Sequence, residues 1–278
     1  RDFCLSRGLG DVYKRQMKHI TKKYFDRIEI QLPPLESQKK IATALDSANA
    51  LIEKRKEQIE KLDLLIKSQF IEMFGDPVTN PKGWSVNSLA QHLKVIGGYT
   101  FKSTGYTMTG IPVLRIGNIN TGTLTLNDLV YWTYTESLER YFIYPGDLVM
   151  SLTGTVGKDD YANVCVLPAF FDRYYLNQRN AKLNIFGDLS NMYLLYLLRN
   201  KEIKKKLTGI SRGIRQANIS NSDILSLNVP IPPLSLQNQF AEFVEKVEAQ
   251  KALLQKSLAD MEQNYQSLLQ KCFKGEIF

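Results

Sequence analysis

The residues of this chain best suited to chemistry lie in five short polar groups, and the chemistry they suit is recognition rather than bond-making. Tyr99, Phe101, Lys102, Ser103 and Tyr106 form the first group, and Arg115, Asn118 and Asn120 the second. Ser151, Thr153, Thr155 and Lys158 form the third, and Asn177, Gln178, Arg179 and Asn180 the fourth. The fifth, Arg212, Arg215, Gln216 and Asn218, follows the basic run Lys204–Lys206. An arginine fork matches guanine O6 and N7, and an asparagine or glutamine amide matches adenine N6 and N7, in the DNA major groove. Lysine and threonine commonly hold phosphates. Any one such group is also what an ordinary exposed loop contains. Convergence on one face would separate the two readings, and the sequence does not show it.

Motifs for catalysis are missing. The stretch Gly154-Thr155-Val156-Gly157-Lys158 suggests a phosphate loop, but Leu152 stands where its first glycine belongs and Asp159 replaces the Ser or Thr. His19 and His92 have no cysteine or histidine at ligand spacing, so no zinc site is expected. No G-x-S-x-G elbow occurs. Asp159 and Asp160 are adjacent and read as a solvated turn, because neighbouring strand residues face opposite ways. No cofactor is expected.

A 44% hydrophobic and 23% charged composition over 278 residues is ordinary for a soluble chain with one large domain, or a medium domain with extensions. No apolar run reaches 18 residues, so neither a membrane span nor membrane association is expected. The separated Cys4, Cys165 and Cys272, with no secretory signal, point to a reducing cytoplasm. The net charge of +8 favours polyanionic partners, although it also serves solubility. Residues 1–16 have no periodicity and resemble translated vector sequence; they are expected to be disordered or poorly packed.

The elements that position these loops are announced by a repeat. Residues 30–74 recur as residues 229–273 at a constant offset of 199, so Pro34 matches Pro233 and Phe74 matches Phe273. Each copy is a Pro-Pro-Leu entry followed by a long amphipathic helix. The first helix is expected from Leu35 or Glu36 to Phe74, opened by Pro33-Pro34 and stopped by Gly75. Its apolar residues fall in two seven-spaced series: Leu45, Ile52, Ile59, Ile66, Met73, and Ile41, Ala48, Leu62 with Arg55 and Gln69 as polar exceptions. The second helix repeats the seam with Phe240, Val244, Val247, Leu254, Leu258, Met261, Tyr265, Leu268 and Cys272, broken by Lys251. Alternating steps of four and three make a narrow stripe that suits a helical partner: the other seam or a helix of another chain. Forty residues at 1.5 Å each give rods about 60 Å long. The match extends upstream, where Ile20, Phe25, Ile28 and Ile30 align with Ile219, Ile224, Leu227 and Val229; the chain is therefore expected to begin in the tail of a preceding domain copy.

Between the rods the composition shifts to Gly, Thr, Asn, Tyr and β-branched residues. Strand-like runs occur within residues 88–98, 111–119, 129–134, 146–154, 163–171 and 181–186, separated by turn signals. One helix is expected at Leu189–Leu207, with Met192, Leu195, Leu198 and Ile203 on its apolar stripe.

In this order, the motifs resemble those of the specificity (S) subunit of type I restriction-modification systems. The likeness rests on Pro81–Trp84, Gly97-Gly98-Tyr99-Thr100, Gly110–Leu114, Tyr144–Val149, Leu176-Asn177-Gln178, Tyr193–Leu198 and the duplicated Pro-Pro-Leu helices. It implies an α+β fold: one mixed, sheet-containing target recognition domain flanked by two long coiled-coil-forming helices. The expected division is a leader (1–16), the tail of a missing recognition domain (17–34), spacer helix 1 (35–75), the recognition domain (76–230) and spacer helix 2 (231–278). It further implies a non-catalytic subunit that reads one half of a bipartite double-stranded DNA target. Methyltransferase (M) subunits and a motor-nuclease (R) subunit are the implied partners. The expected DNA contacts are Tyr99, Phe101, Lys102, Ser103, Arg115, Asn118, Thr153, Thr155, Lys158, Asn177, Gln178, Arg179, Arg212, Arg215 and Gln216. With one recognition domain instead of two, the chain is either a C-terminal portion of such a subunit or a half subunit that self-associates, which would imply an inverted-repeat target. The competing reading is a coiled-coil adaptor whose central domain binds protein.

Overall fold

A computed structural model of the chain describes residues 32–209 and 216–277. The expectations for residues 1–31 therefore lie outside the described residues. Contacts divide the chain into two compact units: one holds the described residues up to Ile52 together with those from Asp260, and the other holds Glu53–Ala259.

The two long helices form where the repeat places them, α1 at Leu35–Phe74 and, at the far end, a second 40-residue helix at Leu234–Phe273. Gly75 takes φ +79° and donates its N–H to Ile71 O at 2.8 Å, the left-handed stop that glycine makes without steric cost. The heptad seam is buried or half-buried along both rods, and in the first rod Phe70 and Phe74, outside the seven-spaced series, are buried as well. Within Glu53–Ala259 the two seams face each other in antiparallel sense: Lys251 Nζ meets Asp63 Oδ1 at 2.5 Å, while the Phe240 ring lies 5.5 Å from Phe70 and 5.4 Å from Phe74. In the smaller unit, Ile52 and Cys272 are the buried seam residues, whereas Leu35, Leu51 and Phe273 are exposed.

Twelve strands lie among the described residues of the larger unit. They are β1 (Ser85–Ser88), β2 (Leu93–Gly97), β3 (Ile111–Leu114), β4 (Val130–Trp132), β5 (Phe142–Ile143), β6 (Leu148–Ser151), β7 (Thr153–Thr155), β8 (Val164–Val166), β9 (Tyr174–Leu176), β10 (Asn180–Ile185), β11 (Gln216–Asn218) and β12 (Asn228–Ile231). One antiparallel sheet has the order β2-β10-β6-β8; a second, mixed sheet has the order β4-β3-β9-β5, with β3 and β9 parallel. β1 pairs with β12, and β7 with β11. The two-residue period of a strand explains the layering. Leu148 and Met150 of β6 point into the helical core with Phe70, Phe74, Tyr193 and Phe240, while Val149 between them faces the second sheet. In β9, Tyr174 and Leu176 join that middle layer and Tyr175 turns to an aromatic cluster on the outer face.

The helix expected at Leu189–Leu207 is two helices, α2 (Asn191–Arg199) and α3 (Lys201–Thr208). Asn200 separates them with extended backbone (φ −62°, ψ 129°) and caps α3 by accepting the N–H groups of Glu202 and Ile203. A short α4 (Asn221–Leu225) precedes β12, and the second rod is α5 (Leu234–Phe273).

Candidate nucleic-acid interface

Three chain segments meet at one open cleft of about 380 Å³, lined by Ile116, Asn120, Thr153, Gly154, Thr155, Asp160 and Arg179. β7 brings Thr153 and Thr155. Pairing with β11 (Thr155 opposite Gln216) gives that short strand a partner. The loop between β9 and β10 brings Arg179, and the turn after β3 brings Ile116 and Asn120.

The Arg179 loop is held by its backbone, which leaves the side chain free. Leu152 N–H donates to Arg179 O at 2.9 Å, and Arg179 N–H donates to Asn177 Oδ1 at 3.3 Å. The Gln178 N–H donates to Tyr99 O at 2.9 Å, while the Tyr99 N–H donates to Leu176 O at 2.8 Å. This close approach needs glycine at position 98, where a Cβ would stand 2.3 Å from the Asn177 carbonyl. The Arg179 guanidinium is exposed and has no hydrogen-bond or ion-pair partner among the described residues. The Thr155 backbone N–H, aided by its hydroxyl, holds the Asp160 carboxyl below its usual range. Asp160 is therefore a satisfied carboxylate rather than a proton donor at neutral pH.

Thus Thr153, Thr155 and Arg179 come together, and Lys158 lies exposed on the turn just beyond. Gln178 is exposed beside Arg179 and accepts the Thr100 hydroxyl at 2.5 Å. Lys102 and Ser103 are exposed but do not line the cleft, and Tyr99 is half-buried. Four of the expected contact residues are engaged within the fold itself. Phe101 is buried among Tyr99, Trp132 and Tyr175, because the loop carrying it folds over the outer aromatic cluster. Asn118 is buried, and its amide is consumed by Arg115 N–H, Thr125 O and Asn127 O. Arg115 turns its guanidinium onto Asp128 O, over the Tyr106 ring, so it braces its own loop. Asn177 is buried, and its side-chain oxygen accepts the Arg179 N–H. Arg212 and Arg215 lie outside the described residues, as does the Gln216 side chain.

The reading of Asp160 as a solvated turn is corrected: Asp159 is the exposed member, paired with Lys204, while Asp160 faces the cleft and binds Thr155. Asn120 joins the cleft although Asn118, two residues earlier, is structural. No local signal separates these two asparagines. Among the described residues, no group of three or more His, Cys, Asp or Glu side chains is placed to hold a metal ion. Nor is any helix there long and apolar enough to cross a membrane.

The chain is 25% identical over 276 residues to the type I restriction enzyme MjaVIII specificity subunit of Methanocaldococcus jannaschii, covering 93% of this chain and 64% of that one. It is 25% identical over 273 residues to the EcoKI specificity subunit of Escherichia coli K12, covering 91% and 58%. It spans about three fifths of the length of these curated relatives. Its fold resembles a solved chain from a type I R-M system studied for its complex assembly and conformational transition, at TM-score 0.58 and 22% identity, covering 89% of this chain and 62% of that one. It also resembles the type I restriction-modification S subunit of M. genitalium, at TM-score 0.56 and 13% identity, covering 86% and 61%. The family model for the type I restriction modification DNA specificity domain matches residues 9–61 and 81–263, most of the sequence, and the chain belongs to that family.

Proposed function

We propose that this chain is a non-catalytic DNA-recognition component that reads one half of a bipartite duplex target, with the β7 segment and the Arg179 loop as its reading surface. The observation that carries this is the convergence on one open cleft of Thr153, Thr155, Asn120 and an exposed Arg179 guanidinium without a partner among the described residues, in a chain with net charge +8. Arg179 has the donor geometry for guanine and Asn120 for adenine, while Lys158, Lys102 and the threonines suit phosphates. The names of the relatives support the same reading. The paired rods α1 and α5 would set the distance to a second half-site. Their exposed Leu64, Leu65, Ile71 and Leu253 would dock methyltransferase subunits, to which a motor-nuclease subunit is added. Such a component would work in the cytoplasm, alongside the DNA.

The test is selection of duplexes from a random library by the full chain, with sequencing of the bound pool. The wild-type chain should enrich a motif, and Arg179→Ala should relax one position at a cost of about 1–3 kcal/mol. Affinity should also fall steeply between low and physiological salt. An unchanged base profile in Arg179→Ala would remove Arg179 from the reading surface. A flat salt dependence would favour the protein-binding adaptor.

A further inference from the structure

The turn after β7 is built as a stiff projection. Val156 and Lys158 are exposed at its tip, and Gly157 adopts φ +79°, a left-handed conformation that glycine takes at no steric cost. The Lys158 N–H donates to Thr155 O at 3.0 Å and closes the turn. At its base a single carboxylate clamps the strand end: Asp160 Oδ1 accepts the Thr155 N–H at 2.8 Å, and Oδ2 accepts the Thr155 hydroxyl at 2.9 Å. Gly154 makes room for the clamp, since a Cβ there would stand 2.4 Å from Asp160 Oδ1.

The foot of the projection is tied to its surroundings. The Ala162 N–H donates to Ser151 O at 2.9 Å, and the Tyr161 hydroxyl donates to Thr208 O at 3.2 Å. Lys204 of α3 holds both the Asp159 carboxylate and Asn163 Oδ1. Ala162 sits at φ +55°, a conformation that a residue with a Cβ keeps only when its surroundings fix it.

We propose that the Thr155–Lys158 turn is a specificity-determining finger of the DNA interface, and that Asp160 is the positioning residue that sets its direction. This rests on the base-reading role of the same cleft. Val156, 42% exposed at the tip, offers the apolar contact that recognises a thymine methyl group, and Lys158 offers a phosphate contact beside it. Asp160 touches no base. A carboxylate beside a polyanion is repulsive, so it serves this interface only by spending its acceptors on Thr155.

Asp160→Ala and Asp160→Asn separate position from charge. Both remove the negative charge, but the Asn oxygen still accepts the Thr155 N–H and its amide can donate to the Thr155 hydroxyl. In selections from a random duplex library with the full chain, Asp160→Ala should lose about tenfold in discrimination at one or two adjacent positions, while Asp160→Asn keeps the wild-type profile. Val156→Ala, at the exposed tip, should weaken preference at one of those positions, and this variant carries the test if Asp160→Ala does not fold. Identical profiles for Asp160→Ala and wild type, or equal losses in Asp160→Ala and Asp160→Asn, would overturn the positioning role. An unchanged profile in Val156→Ala would overturn the finger. If the wild-type chain enriches no motif, base reading fails first and the finger with it. If it enriches a motif that these variants leave intact, base reading stands and the finger alone is refuted.

Discussion

Gly98→Ala should damage the reading loop from the backbone packed against it, just past the end of β2. The added Cβ would lie 2.3 Å from both the carbonyl carbon and oxygen of Asn177 and 2.4 Å from Leu176 O. All three are backbone atoms, so no side chain can swing aside. Ordinary contact requires about 1 Å more, which must come from separating Gly98 from residues 176–178. That separation strains two hydrogen bonds, Tyr99 N–H to Leu176 O and Gln178 N–H to Tyr99 O. Overpacking costs about 1–3 kcal/mol, and each weakened bond up to about 1 kcal/mol more. A loss of about 2–4 kcal/mol corresponds to a fall in Tm of roughly 4–16 °C for a unit of this size. Because Arg179 follows directly, base preference should degrade as well. The control is Gly97→Ala, one residue earlier, where a Cβ meets nothing within 4 Å. Thermal unfolding and duplex selection on both variants give the answer. Gly98→Ala matching Gly97→Ala in Tm and base profile would refute the claim that this backbone approach holds the loop.

Phe240→Ala, which empties a fully buried site between the Phe70, Phe74 and Tyr196 rings, should destabilise by about 3–5 kcal/mol in denaturant titration. Asp63→Ala should cost about 1 kcal/mol, because it leaves Lys251, at 17% side-chain exposure in the seam, with only the longer 3.7 Å pair to Glu248 while Asp63 itself is half in water; Lys251→Met should cost less, and a double-mutant cycle will show the coupling. Burial pushes the Cys165 thiol up from 9.0 to about 12. A raised folded value means its contribution is fully present below about pH 9 and is lost as pH rises towards 12, so stability should decline across that alkaline window and decline less in Cys165→Ala.

The helical rods are plain in the sequence because a seven-residue apolar period over forty residues is that of an amphipathic helix; the seam positions are buried or half-buried, while Phe70 and Phe74, off the seven-spaced series, are buried against the sheet-bearing domain. Gly75 marks the end of the first rod for a reason of backbone conformation alone. The break at Asn200 was not legible in the spacing: Met192, Leu195, Leu198 and Ile203 fit one continuous helical stripe, and only the extended backbone at Asn200 divides it. β9 is harder to see, since three buried residues carry too short a period to register, yet it lies at the centre of the second sheet. The site was legible in its residue types but not in its directions. Asn118 and Asn120 have the same chemistry and almost the same position, and the loop bonds that Asn118 accepts from Arg115 N–H and donates to Thr125 O and Asn127 O decide which one faces inward. Asp160 was hidden for a related reason: its partner Thr155 lies across a turn, and a carboxylate after glycine and lysine looks the same whether it is solvated or clamped.

The most direct measurement is a structure of the full chain bound to the duplex that it selects. The Thr155–Lys158 turn should lie in or beside the major groove, with the Arg179 guanidinium within hydrogen-bonding distance of a guanine edge. A duplex lying on another face, with this cleft open to solvent and Arg179 contacting neither base nor phosphate, would contradict this placement.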